Sequence, residues 1–176
     1  MGGDWKRILF LDIDMVLSSE EWFNRTKGRS GMIDPELVKL VNQLKDINVE
    51  VVISSSWGYD NGRTEKTLRE VGFELPIIGY TEHFYVDWMC RGNEIEKWLN
   101  TNFGGMGTKY GYDEIYGMPY YRKHFYEEDV DYEYVIFDDA SDMLLGQADN
   151  FIHVNPATGI TQTDIDKAIK ILKREN

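Results

Sequence analysis

Cysteine is almost missing from this chain. Its one cysteine, Cys90, cannot form an internal disulfide and fits a reducing compartment. Positive charge is scarce too: 19 Lys and Arg stand against 31 Asp and Glu, a net charge of -12. Broad binding of duplex nucleic acid runs on Lys and Arg neutralising phosphates, so this composition argues against it. A nucleic-acid end or a nucleotide in a local positive pocket stays open. No apolar run approaches the ~20 residues of a membrane span, so no membrane partner is expected. The opening residues, Met1 to Arg7, lack the apolar region of a signal peptide, which gives a cytoplasmic expectation. Internal repeats and low-complexity linkers are lacking as well. His83, His124 and His153 have no metal-ligand spacing and read as structural or exposed. What the chain does have is 42% hydrophobic and 14% aromatic residues, enough for one α/β domain over 1–176 with a real core. Oligomeric state is not legible.

The most informative stretch is Ile8-Leu9-Phe10-Leu11-Asp12-Ile13-Asp14-Met15-Val16-Leu17. A short continuous apolar run reads as a strand buried on both faces. Two carboxylates at its carboxyl end sit where ligands bind in open α/β sheets. Carboxylates so close repel unless something positive neutralises them, and a hard cation with oxygen ligands, Mg²⁺ above all, does so most simply. A lone pair of this kind is ordinarily a strand end followed by an acidic turn, so the rest of the chain has to decide.

Residues Ser18 to Met32 read as a loop or short insert. Asp34-Pro35 starts a helix, with Asp as N-cap and Pro at the first helical position. Leu37, Val38, Leu40, Val41 and Leu44 give it one apolar face, ending near Asn48. Val49 to Ile53 is a second buried strand and runs into Ser54-Ser55-Ser56-Trp57. A helix over about Thr64 to Val71, a short strand at Pro76 to Gly79 and a helix after Arg91 follow. Asn102 to Glu133 is irregular and rich in tyrosine, and reads as an ordered flap or short hairpin near the site. Tyr134 to Phe137 is a strand ending in Asp138-Asp139. Ser141 to Leu145 reads as a short helix and Phe151 to Val154 as a last strand. Thr161-x-x-Asp164 resembles a capping box before a final helix carrying Ile165, Ala168, Ile169 and Leu172. Alternating strands and helices mean a mainly parallel sheet with right-handed crossovers.

Three of these strands end in polar groups: Asp12 and Asp14, Ser54, and Asp138 and Asp139. In a parallel sheet those ends share one edge. With Arg91 ahead of a helix, they are the parts for handling a phosphate on Mg²⁺. One carboxylate can attack phosphorus, and a second can protonate the leaving oxygen and later activate water.

This order of parts resembles the haloacid dehalogenase (HAD) superfamily of phosphatases, over about Ile8 to Thr161. The resemblance implies a three-layer HAD-like fold, a central mainly parallel sheet with helices on both faces. It makes Asp12 the aspartyl-phosphate nucleophile and Asp14 the general acid/base, its main-chain carbonyl facing the metal. Ser54 matches the phosphate-binding Ser/Thr of the second motif. Arg91 matches the basic third motif, with Lys97 as the alternative. Asp139, or in its place Asp138, completes the Mg²⁺ site with Asp12; Asp139 is favoured as the direct ligand, backed by Asp138 or Asp142. Met15 stands where many members carry Gly. Ser-Ser-Ser-Trp, Arg-Gly-x-Glu-Ile, Asp-Asp-x-Ser-Asp-Met-Leu and Gly-Ile-Thr look like the small HAD domains of RNA-repair proteins. Neither Met15 to Glu50 nor Trp57 to Cys90 has room for a large cap domain. An open site is associated with large phosphorylated substrates such as proteins or nucleic-acid ends, besides small molecules.

Met15, Ser55, Trp57 and Arg63 are further candidates for touching substrate. Trp57 is more often core, and Arg63 more often solvated surface. Cys90 lacks the spacing of a cysteine phosphatase, and the Glu127 to Asp131 run reads as a solvated face. The expected activity is Mg²⁺-dependent phosphomonoester hydrolysis on a nucleotide or polynucleotide end. Alternatives are a phosphotransferase or protein phosphatase of the same superfamily, a phospho-receiver domain, and a catalytically silent HAD-fold binding protein. The receiver is disfavoured because its middle strand ends in a lone Asp, where this chain has serines.

Overall fold

The structure is a computed structural model that describes residues 5–27, 31–58, 60, 62–82, 90–103 and 131–173, and the backbone of 108–112 and 119–123. Five strands form one parallel sheet: β1 (Lys6–Leu11), β2 (Val49–Ile53), β3 (Ile77–Tyr80), β6 (Tyr132–Asp138) and β7 (Phe151–His153). Their order is β3-β2-β1-β6-β7, with β1 in the centre. Two more strands, β4 (Thr108–Tyr112) and β5 (Pro119–Lys123), pair antiparallel in a separate ribbon. The hairpin expected there is therefore present as backbone. The insert expected over Asn102 to Glu133 is shorter at both ends, since Asn102 and Phe103 end a helix and Tyr132 and Glu133 open β6. Apart from the ribbon backbone and Asp131, its other residues, with His83, His124 and the rest of the Glu127 to Asp131 run, lie outside the described residues.

β1 shows why the sheet is central. Its last four residues, Ile8 to Leu11, are fully buried, and successive side chains point to opposite faces. Leu9 and Leu11 join a core with Val51, Ile53, Val135 and Phe137. That face is covered by α2 (Pro35–Asn42), α3 (Arg63–Glu70) and α5 (Gln162–Lys173), through Leu37, Val38, Val41, Leu68, Ile165, Ala168 and Leu172. Ile8 and Phe10 face the other way, onto Ile95 and Leu99 of α4 (Arg91–Asn102). There the packing is aromatic, with the rings of Phe10, Trp98, Phe103, Tyr132 and Tyr134 in edge and stacked contacts. Helices lie on both faces, giving the three layers expected.

The helix starts follow their capping residues. Asp34 accepts the Glu36 N–H at 2.9 Å, ahead of Pro35. Thr161 and Asp164 form the expected box: the Asp164 carboxylate accepts the Thr161 N–H at 3.0 Å, and the Thr161 hydroxyl accepts the Asp164 N–H at 3.4 Å.

Two sequence expectations are corrected. The segment read as a loop after Ser18 contains a helix, α1 (Glu20–Thr26). Ser19 caps it by accepting the Trp22 N–H, and Glu20 and Glu21 favour its N-terminus. The short helix expected at Ser141 to Leu145 is instead irregular chain over Ser141 to Leu144, and a short 3-10 helix follows at Leu145–Asn150. Asp142 is drawn away to another element, described below.

Among the described residues no helix is long and apolar enough to cross a membrane.

Candidate functional site

The site follows from the strand order. The chain runs outward from β1 to β2 and β3, then crosses back to place β6 on the other side of β1. The direction of winding changes between β1 and β6, and such a point opens a crevice at the carboxyl ends of the strands. The ladder continues one residue past the strands: the Asp12 N–H donates to Phe137 O at 3.0 Å and the Ser54 N–H to Leu11 O at 2.9 Å. Asp12, Ser54 and Asp138 are thereby fixed side by side by backbone alone.

One carboxylate oxygen from each of Asp12, Asp138 and Asp139 lies within 4.8 Å of the others. Asp12 and Asp138 are 6% and 1% exposed. Burial, the largest influence, pushes the Asp12 carboxyl up to about 6, although a Ser55 hydrogen bond, the Ile13 N–H and Arg91 favour its charged form. Burial followed by the Asp12 charge pushes Asp138 up to about 7. The Asp138 Oδ1 atom accepts the Ala140 N–H at 2.8 Å, while the buried Oδ2 makes no hydrogen bond. Three converging carboxylates with an unsatisfied buried oxygen suit a hard divalent cation, which takes oxygen ligands. Mg²⁺ fits this donor set.

Arg91 is the cation beside the cluster. Its Nε lies 3.4 Å from Asp138 Oδ2, and its Nη1 donates to the buried Glu94 at 3.0 Å. Lys97, two turns along α4, is paired with Glu82 on the surface. Arg91 is thus the basic residue that the fold brings to the carboxylates. Its backbone N–H donates to Asp142 at 2.9 Å, so Asp142 serves the N-terminus of α4. The loop carrying Asp142 docks there closely. A Cβ on Gly92 would stand 2.4 Å from the Leu144 nitrogen and 2.7 Å from Gln147 Oε1, which only glycine avoids.

Asp14 is held apart from this cluster. Its Oδ1 accepts the Trp57 indole N–H at 3.0 Å, and its Oδ2 accepts the Ser56 hydroxyl at 3.2 Å. Trp57 is therefore the partner of Asp14 as well as a flank of the core. Ser54 is buried next to Thr81, their hydroxyls 3.5 Å apart, and its neighbour Ser55 is the one bonded to Asp12. Met15 has φ 56, left-handed, which explains why glycine suits the position. Arg63 is exposed at the first turn of α3.

Sequence reasoning missed Ser56, Glu94 and His153 as site residues. The first two lie in stretches read only as family-like strings, Ser-Ser-Ser-Trp and Arg-Gly-x-Glu-Ile. His153 Nε2 donates to Asp139 O at 2.7 Å and pins that backbone, a contact that no spacing rule signals.

Residues 8–111 match the family model described as the HAD domain in Swiss Army Knife RNA repair proteins. The chain belongs to that family. The match carries the first three motifs, and Asp138 and Asp139 lie beyond it. Comparison with curated proteins gave no match, and neither did comparison with solved structures. The HAD superfamily is one of phosphatase-type hydrolases, and its domains generally use Mg²⁺.

Proposed function

We propose that this HAD domain is a phosphomonoester hydrolase that works through an aspartyl-phosphate on Asp12, with a nucleotide or polynucleotide end as substrate. The observation that carries the reading is the convergence of Asp12, Asp138 and Asp139 beside Arg91, with Asp14 held separately. Asp12, Asp138 and Asp139, with the main-chain carbonyl of Asp14, would hold Mg²⁺, which when bound supplies neutralisation of carboxylate and phosphoryl charge together. Asp12 attacks phosphorus in line with the leaving oxygen. Asp14 gives its proton to that oxygen, then takes a proton from the water that attacks the phosphoenzyme and frees Asp12. Arg91 and Ser54 hold the remaining phosphoryl oxygens. The polynucleotide end as substrate rests on the family's description as a domain of RNA-repair proteins and on the absence of room for a large cap.

A phosphate-release screen over nucleotides, phosphosugars, phosphopeptides and 3′- or 5′-phosphorylated oligonucleotides tests this. Release that requires Mg²⁺, stops with EDTA and is fastest on an oligonucleotide end is the expected result. Mg²⁺ binding without hydrolysis of any member of the panel would point to a silent binding domain.

A further inference from the structure

We infer that Trp57 positions Asp14 for proton transfer and directs that transfer to one oxygen, Oδ2, tuning the site for esters of alkyl alcohols such as sugar hydroxyls. This rests on the phosphatase reading above. The argument starts from the donor inventory of the two partners. An indole N–H can only donate. Trp57 Nε1 donates to Asp14 Oδ1 at 3.0 Å, so Oδ1 must act as an acceptor in both charge states of the carboxyl. The carbonyl oxygen of a protonated carboxyl is its better acceptor, so the indole favours the Asp14 proton on Oδ2. The Ser56 hydroxyl, 3.2 Å from Oδ2, can donate to the ionised form and accept from the protonated one, so it tolerates both halves of the cycle. Trp57 is half-buried against the core and fixed, while Ser56 is exposed and free to turn aside.

The backbone reinforces this division. Asp14 lies in the turn after β1, and the Met15 N–H behind it is tied to the Ser18 hydroxyl at 3.0 Å. Trp57 lies in the turn after β2, and its N–H is 3.4 Å from the Ser55 hydroxyl. The indole thus bridges two neighbouring strand ends and sets the distance between the acid and the Asp12 side. In the first step the bond from Asp12 to phosphorus forms, the bond from phosphorus to the leaving oxygen breaks, and the Oδ2 proton goes to that oxygen. In the second, Oδ2 takes one proton from water as the water oxygen bonds to phosphorus and the bond from Asp12 to phosphorus breaks. An acidic phenol leaves without a proton, whereas a sugar alkoxide does not. A residue that acts through Asp14 must therefore matter, in the first step, for one leaving group and not the other, while the second step is the same for both.

The test compares Trp57→Phe with the unaltered protein on p-nitrophenyl phosphate and on a 5′-phosphorylated oligonucleotide or β-glycerol phosphate. Phenylalanine keeps the ring and removes only the donor. The expected result is a kcat/KM loss of roughly tenfold or more on the alkyl esters, within the range for positioned proton transfer, and little change in kcat/KM on the aryl ester, since kcat/KM reads the step in which the leaving group departs. Trp57→Phe should add nothing in the Asp14→Asn background. Equal losses on both ester types would overturn the inference, as would no loss on either. The hydrogen bond has a readout free of activity. Of the 5 tryptophan indole N–H resonances, the one lost in Trp57→Phe should be the one that moves in Asp14→Ala. If that resonance stays in place, the positioning claim fails. If the unaltered protein hydrolyses nothing, the phosphatase reading fails and the resonance alone decides the contact.

Discussion

The two edges of the sheet treat charge in opposite ways. At the amino ends of the strands, Lys6 meets Glu50 at 2.9 Å, and Lys45 meets Glu74 on the surface beside them. Arg7 closes that edge by donating to the carbonyls of Leu172 and Ile47 at 3.2 and 3.3 Å. Every charge named there has a partner of its own. A cleft of about 410 Å³ lies among Trp5, Lys6, Lys45 and Pro76, but it offers no converging reactive groups. At the carboxyl ends, Asp12, Asp138 and Asp139 converge on one another, and the Arg91 guanidinium that pairs with Asp138 is already bonded to Glu94. Uncompensated chemistry chooses the second edge. Buried carboxylates without matched cations cost folding energy, and such groups cluster where a ligand completes them.

The largest effect that separates the edges is on turnover. Asp12→Asn should lower kcat by roughly 10³-fold or more on every phosphoester, since the amide cannot carry the phosphoryl group. Lys6→Met should leave turnover unchanged. The next effect is on stability. Arg91→Ala leaves Asp138 and Glu94 facing each other without the cation and should cost about 3 kcal/mol in denaturant unfolding at pH 8. A loss like that of Lys6→Met would mean that the carboxyl edge is no more dependent on its cation than the other.

Smaller still is the effect of Asp138→Asn. The Asp138 carboxyl is raised from 3.8 to about 7 in the folded chain. A raised acid gives stability that is fully present below the unfolded value near 4 and lost as pH rises through about 7. An amide cannot ionise, so Asp138→Asn should stabilise the metal-free protein by about 1–2 kcal/mol at pH 8 and by nothing near pH 4. The same linkage applies to Mg²⁺. Below pH 6 the Asp12 and Asp138 protons must leave before both can ligate, so added Mg²⁺ should raise Tm more at pH 8 than at pH 5.5. A Mg²⁺ shift that is the same at both pH values would contradict the assignment. The smallest effect belongs to the paired edge: Lys6→Met should change stability by less than about 1 kcal/mol, as for half-exposed ion pairs elsewhere.

Much of the sheet was legible because its strands are short apolar runs with distinct ends, and Asp12 and Asp138 each sit one step past such a run. Leu11 to Asp12 and Phe137 to Asp138 are read the same way. The caps at Asp34 and Thr161 were legible for the same local reason. α1 was not, because its apolar residues, Trp22 and Phe23, are adjacent and give no helical repeat. Only Ser19 followed by two glutamates marked it. The missing helix near Ser141 has a tertiary cause, since the Asp142 carboxylate caps α4 and not its own segment. Ser56 and His153 were out of reach for a related reason. Ser56 acts on a residue from another part of the fold and His153 on backbone, which no spacing in one sequence encodes, whereas Glu94 pairs with Arg91 at a legible i,i+3 helical spacing whose burial alone was hidden. Trp57 illustrates the limit well: its residue type suggests core packing, which it does in part, and only the 3.0 Å contact links it to Asp14.

The central claim is that the carboxyl edge forms a covalent acyl phosphate on Asp12. Acid quenching of the protein during turnover with a phosphorylated oligonucleotide and Mg²⁺, followed by peptide mass spectrometry, tests it directly. The account predicts one phosphoryl group on the peptide spanning Ile8 to Leu17, located at Asp12 and missing in Asp12→Asn. Turnover with the phosphoryl group on any other residue, or undiminished turnover by Asp12→Asn, would contradict it.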